Sequence, residues 1–119
     1  MEKYNGNNLC KVVRLVIRYK KRGEMKDIAG LTKQLGNTDS SVRRSAAELL
    51  GSTEDEAAID ALIPVLKDRD RFVRQEAVLA LKKIGGSRAV EHLTQALNTE
   101  KNEFVLDFIK LTLERMQRK

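Results

Sequence analysis

Two acid–base pairs recur at one spacing in this chain: Asp39 with Arg43, and Asp70 with Arg74, each four residues apart. On a helix that spacing puts both side chains on one face, where they can form an ion pair. A second charged set, Lys11, Arg14, Arg18, Lys21 and Arg22, follows a single helical face near the N-terminus. Such a row could meet the phosphates of nucleic acid or of an anionic lipid surface, each contact adding salt-sensitive affinity. His92 and Cys10 each stand alone. One histidine gives no zinc ligand set and no catalytic dyad, and Cys10, beside Leu9 and Val13, is placed for packing. There is no G-x-G-x-x-G, P-loop or H-E-x-x-H pattern. The expectation is therefore a protein that is not an enzyme and that carries no metal and no cofactor.

These charges need elements to hold them. Val73, Ala77, Ala80, Leu81 and Ile84 recur at steps of three and four, Gly85-Gly86 interrupts, and Val90, Leu93 and Leu97 resume the pattern. That reads as a helical hairpin. A backward shift of 31 residues lays Val42, Ala46 and Leu50 on Val73, Ala77 and Leu81, and lays Ile59, Leu62 and Leu66 on Val90, Leu93 and Leu97. The same shift again reaches Ile28, Leu31 and Leu35, and a forward shift of 32 places Val105, Ile109, Leu113 and Met116. Self-similarity at a fixed period signals stacked hairpins, none of which can bury its apolar face alone.

The pattern D-x-x-V-R-x-x-A-x-x-A-L-x-x-I-G followed by A-V-x-x-L-x-x-x-L resembles the HEAT repeat, in the short variety called PBS-lyase HEAT-like. The resemblance implies an all-α right-handed superhelix, a HEAT-like solenoid, of about seven helices. It implies a scaffold or binding module with another protein as partner. It also implies that Asp39, Arg43, Asp70 and Arg74 form a structural ladder, each arginine reaching an aspartate in its own or the adjacent turn and helping to set repeat spacing. An accessory factor of bilin-lyase type is a further alternative, supported by resemblance alone.

One domain over residues 1–119 is expected: a divergent N-terminal unit (1–37), two repeats (38–68 and 69–100) and a C-terminal capping helix (101–119). The hydrophobic fraction of 41% and charged fraction of 34% suit a helical protein, and one proline with five aromatics argue against a sandwich or barrel. The excess charge of +6 lies entirely in residues 1–26, since the remainder holds fifteen basic and fifteen acidic residues. No apolar run approaches the roughly 20 residues a membrane span needs, and the N-terminus lacks a signal-peptide core. With a single cysteine, a reducing, cytoplasmic location is expected.

Local signals place the helix ends. Asp39 or Ser40, Asp70, Ser87 and Asn102 are candidate N-caps, and Thr53-Glu54-Asp55-Glu56 reads as a capping box. Pro64 falls inside the helical pattern of residues 54–67, where it must bend the helix or break it.

Two surfaces are candidates for protein binding. The second helices of the hairpins line an inner face, on which Ala61, Pro64, Val65, His92 and Gln95 lie opposite the core positions; either neighbours cover that face or a partner does. On the last helix a second apolar stripe, Phe104, Phe108 and Leu111, runs beside the core stripe and suggests docking to another protein or a homodimer. The alternative is nucleic-acid or phosphate binding through Lys11, Arg14, Arg18, Lys21 and Arg22.

Overall fold

The computed structural model describes residues 27–118, and among them there are helices and turns but no strand. The α-helices are α1 (Ile28–Gln34), α2 (Ser40–Ser52), α3 (Ile59–Leu62), α4 (Arg71–Ile84), α5 (Ser87–Ala96) and α6 (Glu103–Gln117). Two 3₁₀ turns, Glu56–Ala58 and Pro64–Lys67, flank α3. The basic helix expected before residue 26 lies outside the described residues.

Each long helix starts where a short polar side chain can satisfy amides that have no partner within the helix. The Asp39 carboxylate accepts from Ser41 N–H at 2.9 Å. Asp70 accepts from the amides of Phe72 and Val73 at 2.8 and 3.1 Å, and Asn102 from those of Phe104 and Val105 at 3.0 and 3.2 Å. Two other expected caps are corrected. Ser87 is already helical, and α5 follows Gly85 and Gly86, whose φ angles of 75° and 92° suit glycine. Thr53 is not the N-cap of the next turn: its hydroxyl donates back to the Leu50 carbonyl at 2.7 Å and accepts from Asp55 N–H at 3.2 Å, and the cap is Asp55, which accepts from Ala57 N–H at 2.9 Å.

The columns related by the repeat shift form the core. Val42, Val73 and Val105 are buried, as are Ala46, Ala77 and Ile109, and Leu50, Leu81 and Leu113. α4 lies at the centre, packing against α2 on one side and α6 on the other, with α3 and α5 behind it. Small residues let α2 and α4 approach closely: a Cβ built on Gly51 would stand 2.6 Å from the Ala80 Cα, so only glycine fits there.

The helical pattern breaks at Pro64. With no N–H to donate, the proline starts a tighter turn in which Leu66 N–H bonds to the Ile63 carbonyl at 3.1 Å. Val65 is buried, so at this position the neighbours cover the second face, one of the two alternatives the sequence left open. Ala96, placed on the same face by the repeat shift, is buried as well.

Candidate functional site

The arginines at the repeat position are the most fully engaged side chains in the structure. Arg43, rising from the first turn of α2, reaches Asp68 rather than Asp39. Its Nε donates to Asp68 Oδ2 at 2.9 Å and its Nη2 to Oδ1 at 3.1 Å, while Nη1 donates to the carbonyls of Asn37 and Thr38 at 2.8 and 3.1 Å. Arg74, one repeat later, does the same with Glu100 at 2.9 and 3.2 Å, and its Nη1 donates to the Asp68 carbonyl at 2.7 Å. The pairing within one turn is thus corrected: Asp39 and Asp70 cap helices, and the arginines hold acids 25 and 26 residues further on. Asp68 joins the two rungs, accepting Arg43 on its side chain and Arg74 on its backbone.

Both acids also organise the loop that follows. Asp68 Oδ1 accepts from Asp70 N–H at 2.9 Å and Glu100 Oε2 from Asn102 N–H at 3.0 Å. Asn37 stands at the same repeat position and accepts from Asp39 N–H at 2.8 Å. The column Asn37, Asp68 and Glu100 was available in the sequence at offsets of 31 and 32. Burial works against the Asp68 charge, but hydrogen bonds from Arg43 and from the Asp70 amide outweigh it and hold the carboxyl below the usual range. The bond to Asp68 likewise raises the already high pKa of Arg43 against the opposing effect of burial. The carboxylate oxygens of Asp68 and Glu100 are all engaged by Arg43, Arg74 and the Asp70 and Asn102 amides, and Arg74 also binds the Asp68 carbonyl of the preceding repeat, so these ions serve the fold; in the same cluster Asp39 Oδ2 is buried without a partner. Among the described residues, no group of three or more His, Cys, Asp or Glu side chains is placed to hold a metal ion.

Beside the rungs a cleft runs between the Pro64–Lys67 turn and α5. One part, about 250 Å³, is lined by Ile63, Leu66, His92, Gln95, Ala96 and Asn98. The other, about 380 Å³, opens toward the loops at Asp68, Arg74, Glu100 and Lys101. Leu66, Lys67 and Thr99 border both parts, so the two are continuous. Of the inner-face residues expected from sequence, the cleft brings His92 and Gln95 together. Ala61 is half-buried against the core and Pro64 is exposed, and neither lines the cleft. Lys67, Asn98, Thr99 and Lys101 line it without having been singled out, because they follow the helices and escape a pattern built on helical spacing.

The last helix divides its stripes as its periodicity suggests. Val105, Ile109 and Leu113 are buried, whereas Phe104 is 76% and Leu111 53% exposed. Phe108 is half-buried against the core. Phe72, at the position equivalent to Phe104 in the preceding repeat, is also exposed. The Arg71 guanidinium stands 4.8 Å from the Phe72 ring centre and 5.8 Å from that of Phe104, and Arg44 covers Phe72 at 5.8 Å. The five cations of the alternative phosphate site, Lys11, Arg14, Arg18, Lys21 and Arg22, lie outside the described residues.

Helical hairpins stacked at a near-constant offset, each closed by an arginine–acid rung and linked through the Arg74 bond to the Asp68 carbonyl, define an α-solenoid. The chain belongs to the HEAT-repeat family: the family model described as HEAT repeats matches residues 28–109. HEAT repeats commonly mediate protein–protein interaction and scaffolding, and the family is generally non-enzymatic. No curated protein matches the chain. No helix among the described residues is long and apolar enough to cross a membrane.

Proposed function

We propose that this chain is a non-catalytic interaction module that seats a partner protein in the cleft between the Pro64–Lys67 turn and α5. The observation that carries this reading is the composition of the cleft: an apolar floor at Leu66 and Ala96 beneath exposed polar side chains at Gln95, Asn98 and Thr99. An apolar floor with a few polar groups around it is how binding surfaces combine affinity with orientation. Affinity capture from the source cells tests it. A partner retained by the wild-type chain is expected to be lost with Gln95→Trp, an exposed position where the bulk fills the cleft, and kept with Phe104→Asp. Retention by Gln95→Trp at wild-type level would overturn the proposal.

A second reading rests on Phe104 and Leu111, the two most exposed large apolar side chains of α6. An apolar stripe left bare on a helix invites a second copy or another protein. Light scattering is expected to give a dimer that Phe104→Asp dissociates. A monomer indifferent to that change would remove self-association.

A further inference from the structure

We propose that the cleft selects an extended peptide segment whose side chains alternate between apolar groups and carboxylates. The inference rests on the interaction-module reading above and adds the chemistry of the partner. It follows from which charges around the cleft are already spent. Asp68 receives two hydrogen bonds from Arg43 and one from Asp70 N–H; Glu100 receives two from Arg74 and one from Asn102 N–H. Both acids are neutralised by guanidinium groups, one buried and one partly buried, and can offer little to an incoming cation. The cations at the rim are in the opposite condition. Lys67 borders both parts of the cleft and Lys101 lines its far end, and among the described residues neither forms an ion pair. The uncommitted charge along this edge is positive, and its complement is a carboxylate.

The remaining lining favours an extended backbone over a helix. A helix satisfies its own amides and has no use for the exposed amide and hydroxyl groups of Gln95, Asn98 and Thr99, whereas an extended chain leaves its N–H and C=O groups to be met. Successive side chains of an extended segment point to opposite sides, rising about 3.3 Å per residue. One set can descend to Leu66 and Ala96 while the other reaches the lysine rim.

Fluorescence anisotropy tests the inference with two labelled peptides, one alternating Leu and Glu between Gly-Ser flanks, the other with each Glu replaced by Gln. The Glu peptide is expected to bind roughly tenfold more tightly, as two rim ion pairs would give, and the preference should shrink as salt is raised. The Lys67→Glu/Lys101→Glu variant is expected to abolish the preference, with circular dichroism unchanged because both positions are exposed. Equal binding of the two peptides, blocked by Gln95→Trp, would overturn the acidic preference and leave the cleft as a docking site. Binding of neither peptide would overturn the inference, and affinity capture with Gln95→Trp would then decide separately whether the interaction-module reading survives. A single-stranded oligonucleotide that binds at the same rim, and is lost in the double lysine variant while the peptides do not bind, would replace the peptide with a nucleic acid.

Discussion

The two middle repeats place the same residues in the core by different backbones. In the later one α5 is a continuous helix over Ser87–Ala96; in the earlier one its counterpart is divided into a 3₁₀ turn, the four-residue α3 and a second 3₁₀ turn. Leu62 and Leu93 are nonetheless both fully buried, and Arg43 and Arg74 each reach an acid at the end of their own repeat. Packing columns and arginine rungs therefore define the repeat, and helix continuity is dispensable. The rungs differ too: the Arg43 side chain is 4% exposed, that of Arg74 18%.

This comparison can be broken most forcefully at the deeper rung. Removing one member of a buried, doubly bonded ion pair leaves the other uncompensated, at a cost of about 3–5 kcal/mol. Urea denaturation is expected to show a loss of that order for Arg43→Ala and a smaller one for Arg74→Ala. Acid titration carries the same signature. The folded-state pKa of Asp68 is depressed, so its contribution is fully present above the unfolded-state value and is lost as pH falls through the folded one. Asp68→Asn should be less stable at neutral pH and should close the gap to wild type as acid is added. Equal losses at the two arginines would contradict the difference in burial.

Gly51→Ala probes the helix contact that both repeats share. A Cβ cannot fit at 2.6 Å from Ala80 without moving a helix, and such overpacking typically costs about 1–3 kcal/mol. A stability unchanged by the substitution would mean that α2 and α4 separate readily. Pro64→Ala asks whether proline alone breaks the earlier helix. Because Val65 and Leu66 are already buried in the tight turn as it stands, the broken geometry should persist, with a destabilisation of about 0.4–1 kcal/mol from the freer unfolded chain. A gain in helical circular dichroism would show that the proline imposes the break.

Glu76 gives the smallest effect. Burial between α2 and α4, and then Glu48, push its carboxyl above the usual range, against weaker attraction from Arg44 at 3.7 Å and from Lys83. A folded-state pKa that is raised makes the ionised form unfavourable to folding. Glu76→Gln should match or slightly exceed wild-type stability at neutral pH, and the difference should begin to shrink as pH falls through the folded-state pKa and vanish below the unfolded-state value. Lower stability at neutral pH would mean that the pair with Arg44 outweighs the burial.

The core was legible in the sequence because it depends on apolar side chains at one constant offset, and the caps at Asp39, Asp70 and Asn102 because they act on amides two and three residues away. The partners of Arg43 and Arg74 were not. A side chain that spans 25 residues leaves no local trace, and aspartates four residues before each arginine offered a nearer and mistaken partner. Aligning Asn37, Asp68 and Glu100 as a column would have exposed them. What covers Val65 was not legible, because helical spacing puts it opposite the core stripe and says nothing of whether neighbours or a partner lie there; it is buried, as is Ala96 at the equivalent position of α5. The cleft was half legible: His92 and Gln95 lie on a helix and follow its spacing, whereas Lys67 and Lys101 sit in turns where spacing predicts nothing.

The central functional claim is that a partner lies in the cleft beside α5, and site-specific photocrosslinking in the source cells tests it most directly. With a photoreactive phenylalanine analogue in place of Gln95, a discrete adduct with another protein is predicted, absent when the same group replaces the exposed Lys110 on α6. Adducts at Lys110 with none at Gln95 would place the partner elsewhere and contradict the claim.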